Sequence, residues 1–192
     1  MNDRIFNLQS LNFLHHTNLK VAILGGTFDP AHLGHVSISI QALNYYHFDY
    51  VIWLVAKQNP FKSTMSNSIF NRARSALQVA RHPRIIVSTA EHDLAGCYSY
   101  NVLKELIHRF STVKFTWIMG MDNAVGFKKW YRSNDLKKLC NILILDRPCQ
   151  ARMVNMQTLG LYNQVALAKI KSHNIMIHRG KLCNLSSTTI RS

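Results

Sequence analysis

The sequence predicts an α/β fold in which a parallel sheet is covered by helices on both faces. Two observations carry this reading. Short apolar runs rich in β-branched residues recur along the chain, and helical patterns fill the intervals between them. Strands buried on both faces read as continuous apolar runs rather than alternating ones, as these do. A doubly wound, Rossmann-like order of such units places ligands at the carboxyl ends of the strands.

The elements follow in order. The first strand is expected at 20–24, where Val21-Ala22-Ile23-Leu24 runs into Gly25-Gly26. A helix at 32–46 leads to a second strand at 50–55, and a helix at 67–81 leads to a third at 84–89. A helix at 99–110 precedes the strand at 114–119, which ends in Met119-Gly120. A helix at 133–139, a strand at 140–145, a weaker helical pattern within 153–171 and a strand at 174–178 complete the series. There is no internal repeat, low-complexity tract or clear linker. Residues 1–192 are therefore read as a single domain, with 1–19 an N-terminal extension and candidate flexible segment.

With 47% hydrophobic residues the chain can bury a sizeable core. Its formal charge is +14, and the excess is uneven. Residues 1–96 hold eight basic and five acidic side chains, residues 97–192 fifteen and four. Such a field attracts anionic substrates, but also nucleic acid or acidic membranes, and composition does not choose among them. Cys97, Cys140, Cys149 and Cys183 lack CxxC spacing and read as free thiols of a reducing compartment. No signal peptide or membrane span is visible, so a soluble cytoplasmic protein is expected.

The richest segment is Gly25-Gly26-Thr27-Phe28-Asp29-Pro30-Ala31-His32-Leu33-Gly34-His35. It reads as a strand end, a glycine turn and a helix start. Glycines let a backbone approach a ligand closely. A helix N-terminus presents unpaired N–H groups and partial positive charge, which suit phosphate. His32 and His35, three residues apart, share a face and can meet one anion. The segment has neither the Gly-Lys-Ser/Thr of a P-loop nor the spacing of GxGxxG. A zinc half-site, or two solvated helix residues, is the other reading of HxxH, but neither requires the Gly-Gly turn or Asp-Pro.

This segment resembles the GGTFDPxHxGH signature of the nucleotidyltransferase superfamily that contains the nicotinate-nucleotide adenylyltransferases, of the bacterial type. The string Leu185-Ser186-Ser187-Thr188-Thr189-Ile190-Arg191 resembles the family's ISSTxIR motif, which binds ATP phosphates. Hydroxyl residues there cap a helix start, and Arg191 extends from the same first turn as Thr188. Met119-Gly120-Met121-Asp122-Asn123 resembles the MGxDN segment, in which Asp122 accepts from ribose hydroxyls; a plain Asx turn is the alternative. Trp130 matches the aromatic that packs on the pyridine ring, or it is ordinary core.

Two stretches match less well. Around Trp53 to Lys62, Ala56 and Asn59 stand where the family has prolines, and Phe61 where it has histidine. Lys62 keeps the charge and reads as a phosphate contact or a solvated loop lysine. Tyr98-Ser99-Tyr100-Asn101 resembles the opening of SYTxxTL, with Asn101 in place of threonine. Members continue past ISSTxIR with another helical stretch, whereas this sequence ends at Ser192, so the support of the turn carrying Arg191 stays open.

The resemblance implies a nucleotidyltransferase-type fold and adenylyl transfer from ATP to nicotinate mononucleotide, a step of NAD biosynthesis. His32 and His35 are the implied catalytic residues. Gly25, Gly26, Thr27, Phe28, His32, His35, Gly120, Asp122, Ser187, Thr188 and Arg191 are the implied ATP contacts. Lys62, Tyr100, Asn101 and Trp130 are the implied mononucleotide contacts. Mg2+ is expected on the ATP phosphates, with no protein metal site. Two alternatives stand: an adenylyltransferase using the nicotinamide mononucleotide or both forms, and a non-catalytic basic nucleic-acid-binding protein. Oligomeric state is left open.

Overall fold

The computed structural model describes residues 4–16, 18–57, 67–94, 96–145 and 175–178. Among these residues six strands form one sheet: β1 (Lys20–Gly26), β2 (Tyr50–Val55), β3 (Ile85–Ser88), β4 (Lys114–Gly120), β5 (Asn141–Leu145) and β6 (Ile175–His178). Their order is β3-β2-β1-β4-β5-β6, and every neighbouring pair is parallel. The α/β fold expected from the sequence is observed, and β1 and β4 each run on into their terminal glycines.

Strand alternation sorts the core into two layers. Val21, Ile23, Ile52, Leu54, Trp117, Met119, Ile142 and Ile144 face one side, and Ala22, Leu24, Val51, Trp53, Val55, Ile118, Leu143 and Leu145 the other. Helices α1 (Leu33–Tyr46) and α2 (Ile69–Val79) cover the second face. Short α3 (Ala90–Asp93), α4 (Ser99–Arg109), α5 (Met121–Val125) and α6 (Ser133–Leu139) cover the first.

Residues 4–16 of the N-terminal extension pack against the sheet. Gln9–His16 is a 3₁₀ helix. Leu8, Leu11 and Leu14 recur every third residue, the repeat of that helix, and all are buried in the first layer. Ahead of it, Phe6 donates to the Val87 carbonyl at 2.9 Å and accepts from Thr89 N–H at 2.9 Å. These bonds cover the edge of β3, which would otherwise present unpaired backbone groups.

Candidate active site

The chain winds outward from β1 to β3, then returns to lay β4 against the other side of β1. The crevice at the carboxyl ends of β1 and β4 is therefore the switch point of the sheet. Gly25-Gly26 and Gly120 lie there, beyond the last paired level of Leu24 with Ile118.

The two glycines of the turn are required by different things. A Cβ on Gly25 would lie 2.5 Å from Cη2 and Cζ2 of Trp117, so the indole already fills that space. A Cβ on Gly26 would meet the Phe28 ring at 3.4 Å, an ordinary contact. Gly25 therefore serves packing within the protein, whereas at Gly26 only an approaching ligand would exclude a side chain.

Beyond the turn the chain enters α1 through an N-cap made of histidines. His32 caps the helix in extended conformation, and its Nδ1 accepts from Gly34 N–H at 3.1 Å. His35 returns the bond, its Nδ1 accepting from His32 N–H at 3.2 Å. The ring centroids are 3.9 Å apart. With each Nδ1 accepting, the neutral rings carry their protons on Nε2. His35 packs over Phe28 (4.8 Å), which stacks flat on Trp53 at 5.1 Å. The Trp53 indole N–H donates to Ser39 Oγ at 2.7 Å, and that hydroxyl donates to the His35 carbonyl at 2.8 Å. Phe28 is 1% exposed with φ 49°. Its ring packs between His35 and Trp53.

A buried arginine holds this turn from behind. Arg72 on α2 is 2% exposed and donates to three carbonyls: Nη1 to Thr27 at 2.6 Å, Nη2 to Ala56 at 2.8 Å and Nε to Asn67 at 3.1 Å. Asn67 Nδ2 in turn donates to buried Asp29 at 3.3 Å. Burial lowers the pKa of Arg72, and the carboxyls of Asp29 and Glu91 oppose that. Glu91, in the short helix after β3, accepts from Lys57 N–H at 2.8 Å. Its burial pushes its carboxyl up to about 7, against the lowering pull of that bond and of Arg72. Neither residue was assigned from the sequence. Arg72 had a signal: it lies on the helix stripe of Ile69, Ala73 and Ala76, where an apolar residue belongs. Glu91 had none.

The opposite wall is aromatic. Trp130 stands edge-on to Trp117 at 6.2 Å and to Phe127 at 5.4 Å. Trp117 thus touches both the glycine turn and Trp130. Tyr131 next to it stacks on Tyr98 at 4.6 Å and meets Tyr100 at 6.4 Å. The Arg132 guanidinium lies 4.3 Å above the buried Tyr100 ring and bonds Asp135 at 2.8 Å. Tyr100 and Asn101 lie in the first turn of α4, whose N-cap residue, Tyr98, makes no side-chain cap bond among the described residues. Asn101 lies over Gly96, a glycine at φ 87° that keeps the approach narrow. Asp122 is exposed on the first turn of α5, directly after the buried Gly120.

The structure therefore brings the Gly-Gly turn, His32, His35, Gly120, Trp130 and Tyr100 to one end of the sheet. Lys62, Ser187, Thr188 and Arg191 lie outside the described residues, as does the 153–171 helix. Among the described residues no group of three or more His, Cys, Asp or Glu converges as a metal cage, and no helix is long and apolar enough to cross a membrane. Cys97 and Cys140 are free thiols, and burial raises Cys140 to about 12.

The chain is similar to known proteins in sequence and in fold. The cytidylyltransferase-like family model matches residues 23–192. A probable nicotinate-nucleotide adenylyltransferase of Parvibaculum lavamentivorans is 40% identical over 131 residues, 68% of this chain and 65% of that protein. Its counterpart in Pelagibacter ubique is 34% identical over 182 residues, covering 94% of this chain and 96% of that protein. The solved structure of Plasmodium falciparum nicotinic acid mononucleotide adenylyltransferase, complexed with NaAD, has a TM-score of 0.68 at 15% identity, over 90% of this chain and 82% of that one. That likeness is one of fold.

Proposed function

We infer the reaction from the family: the chain belongs to the cytidylyltransferase-like family and, within it, to the nicotinate-nucleotide adenylyltransferases. It transfers the adenylyl group of ATP to nicotinate mononucleotide, giving nicotinate adenine dinucleotide and pyrophosphate, in NAD biosynthesis. The observation that carries this is the double histidine cap at a helix N-terminus on the switch point of the sheet.

The mechanism needs no protein nucleophile. A phosphate oxygen of the mononucleotide, ionised near neutral pH, attacks the α-phosphorus of ATP in line. The new P–O bond forms as the bond to the bridging oxygen breaks, and pyrophosphate leaves with that electron pair. Negative charge grows on the phosphate oxygens, where His32, His35 and the first N–H groups of α1 donate. Lys62, Ser187, Thr188 and Arg191 are assigned to the same charge. Gly120 and Asp122 take the ATP nucleoside. Trp130 stacks on the pyridine ring, and the start of α4 near Tyr100 and Asn101 receives its carboxylate.

Imidazole and backbone N–H donors suit an anion, not a hard cation. Mg2+ is therefore assigned to ATP, held by its phosphates and water, where it offsets their charge. The two unpaired thiols fit a reducing cytoplasm. The absence of a side-chain cap on α4 among the described residues favours the nicotinate over the nicotinamide form, since helix-start N–H groups donate more strongly to a carboxylate than to an amide. Pyrophosphate release with ATP and each mononucleotide tests both points. Turnover with neither defeats the transferase reading; equal kcat/KM for the two defeats the nicotinate preference.

A further inference from the structure

We propose that Arg72 is a positioning residue for the transfer, fixing the phosphate turn against the exit of β2. The proposal deepens the adenylyltransferase reading and rests on it for its kinetic consequence. The guanidinium meets three segments that are remote in sequence. Thr27 belongs to the turn that precedes His32, Ala56 follows the end of β2, and Asn67 precedes α2. Asn67 closes a second loop by binding Asp29, so the turn is held at two points two residues apart. The segment that carries Lys62 leaves from Lys57, whose N–H is held by Glu91, and returns at Asn67. Both ends of that segment are thus tied to the network that holds the histidine turn.

A planar fork suits this work and an ammonium does not. Three donors at fixed angles define where three carbonyls stand, whereas a lysine offers one point charge on a flexible stem. A buried cation is costly, and an apolar residue on the Ile69–Ala73–Ala76 stripe would pack at less cost. What the arginine adds is direction. In-line transfer depends on it, because a misplacement of about 1 Å costs ~10²-fold in rate.

The test compares Arg72→Lys with Arg74→Lys, an exposed neighbour on the same helix that serves as control. Kinetics are run well below each variant's melting temperature, with ATP and nicotinate mononucleotide varied in turn. Arg72→Lys is expected to lose ~10–100-fold in kcat with KM for ATP within about threefold, while Arg74→Lys matches wild type. A second readout does not depend on turnover: long-range ¹⁵N–¹H spectra of the imidazoles. Arg72→Lys is expected to shift His32 and His35 and to leave His108, at the far end of α4, in place. Wild-type kcat in Arg72→Lys overturns the proposal, as does a kcat loss no larger than its unfolded fraction. Unmoved His32 and His35 resonances overturn it too. If the wild type itself makes no dinucleotide, the transferase reading fails, and the imidazole spectra alone decide whether Arg72 holds the turn.

Discussion

Gly25→Ala is expected to destabilise the fold by about 1–2 kcal/mol, through a clash inside the protein rather than at a ligand. The new methyl would stand 2.5 Å from two ring carbons of Trp117. Ordinary contact begins near 3.4 Å, so about 1 Å must be found. Trp117 can give little: it is 2% exposed, β4 is paired on both sides, and Trp130 abuts its ring. Overpacking of this kind costs ~1–3 kcal/mol. Loss of glycine's freedom in the unfolded chain returns ~0.4–1 kcal/mol. For a chain of this size the net corresponds to a fall in melting temperature of about 2–8 °C. Thermal unfolding followed by circular dichroism measures it. A double-mutant cycle with Trp117→Phe isolates the cause, since the shorter ring stops short of the clash. Gly25→Ala as stable as wild type, or an equal cost in both backgrounds, would refute the assignment of Gly25 to packing.

The neighbouring glycine should fail differently: Gly26→Ala is expected to melt within about 2 °C of wild type while KM for ATP rises, and an ATP KM left unchanged would remove Gly26 from the site. His35→Ala should lower kcat at saturating ATP by ~10²–10³-fold, and should cost ~1 kcal/mol of stability because the cap to His32 N–H is lost. Near-wild-type turnover in the folded variant would exclude His35 from the chemistry. Native Glu91 keeps its proton up to about pH 7, whereas the unfolded chain releases it near 4.5, so its contribution is full below pH 4.5 and is lost as pH rises to about 7. Glu91→Gln, which keeps an acceptor for Lys57 N–H, should therefore stabilise the protein by roughly 2–3 kcal/mol at pH 8 and little at pH 4; equal gains by denaturant titration at both values would contradict this. Trp130→Ala should weaken both mononucleotides alike, and a change in their kcat/KM ratio would mean that Trp130 reads the carboxylate as well as the ring.

All six strands were legible because each is an apolar run bounded by turn residues, and burial on both faces demands that composition. The helices missed were those without room for a 3.6 period. Met121–Val125 and Ala90–Asp93 span about one turn each, and Gln9–His16 follows a period of three that a helix template does not register. The histidine turn was legible as a motif, yet the reason for each of its residues was not. Gly25 reads as a gap left for a ligand, but a tryptophan 92 positions later fills the space. Phe28 reads as part of the ligand surface, and the reading gives no sign that its ring packs against both His35 and Trp53.

The residues that touch a ligand and those that hold them therefore leave different traces. A proposed contact such as His32 needs a fixed spacing from its neighbours in sequence, because the cap and the anion it is assigned to would lie within one helical turn. A support such as Arg72 or Trp117 needs only to arrive from another element, and any sequence separation serves. Its trace is a local misfit: an arginine on an apolar helix stripe, or an indole N–H buried in a strand centre without a hydrogen bond among the described residues. The misfit at Arg72 is visible in the sequence from helix periodicity alone. The one at Trp117 is not, because a tryptophan in an apolar strand breaks no pattern until the glycine opposite it is known.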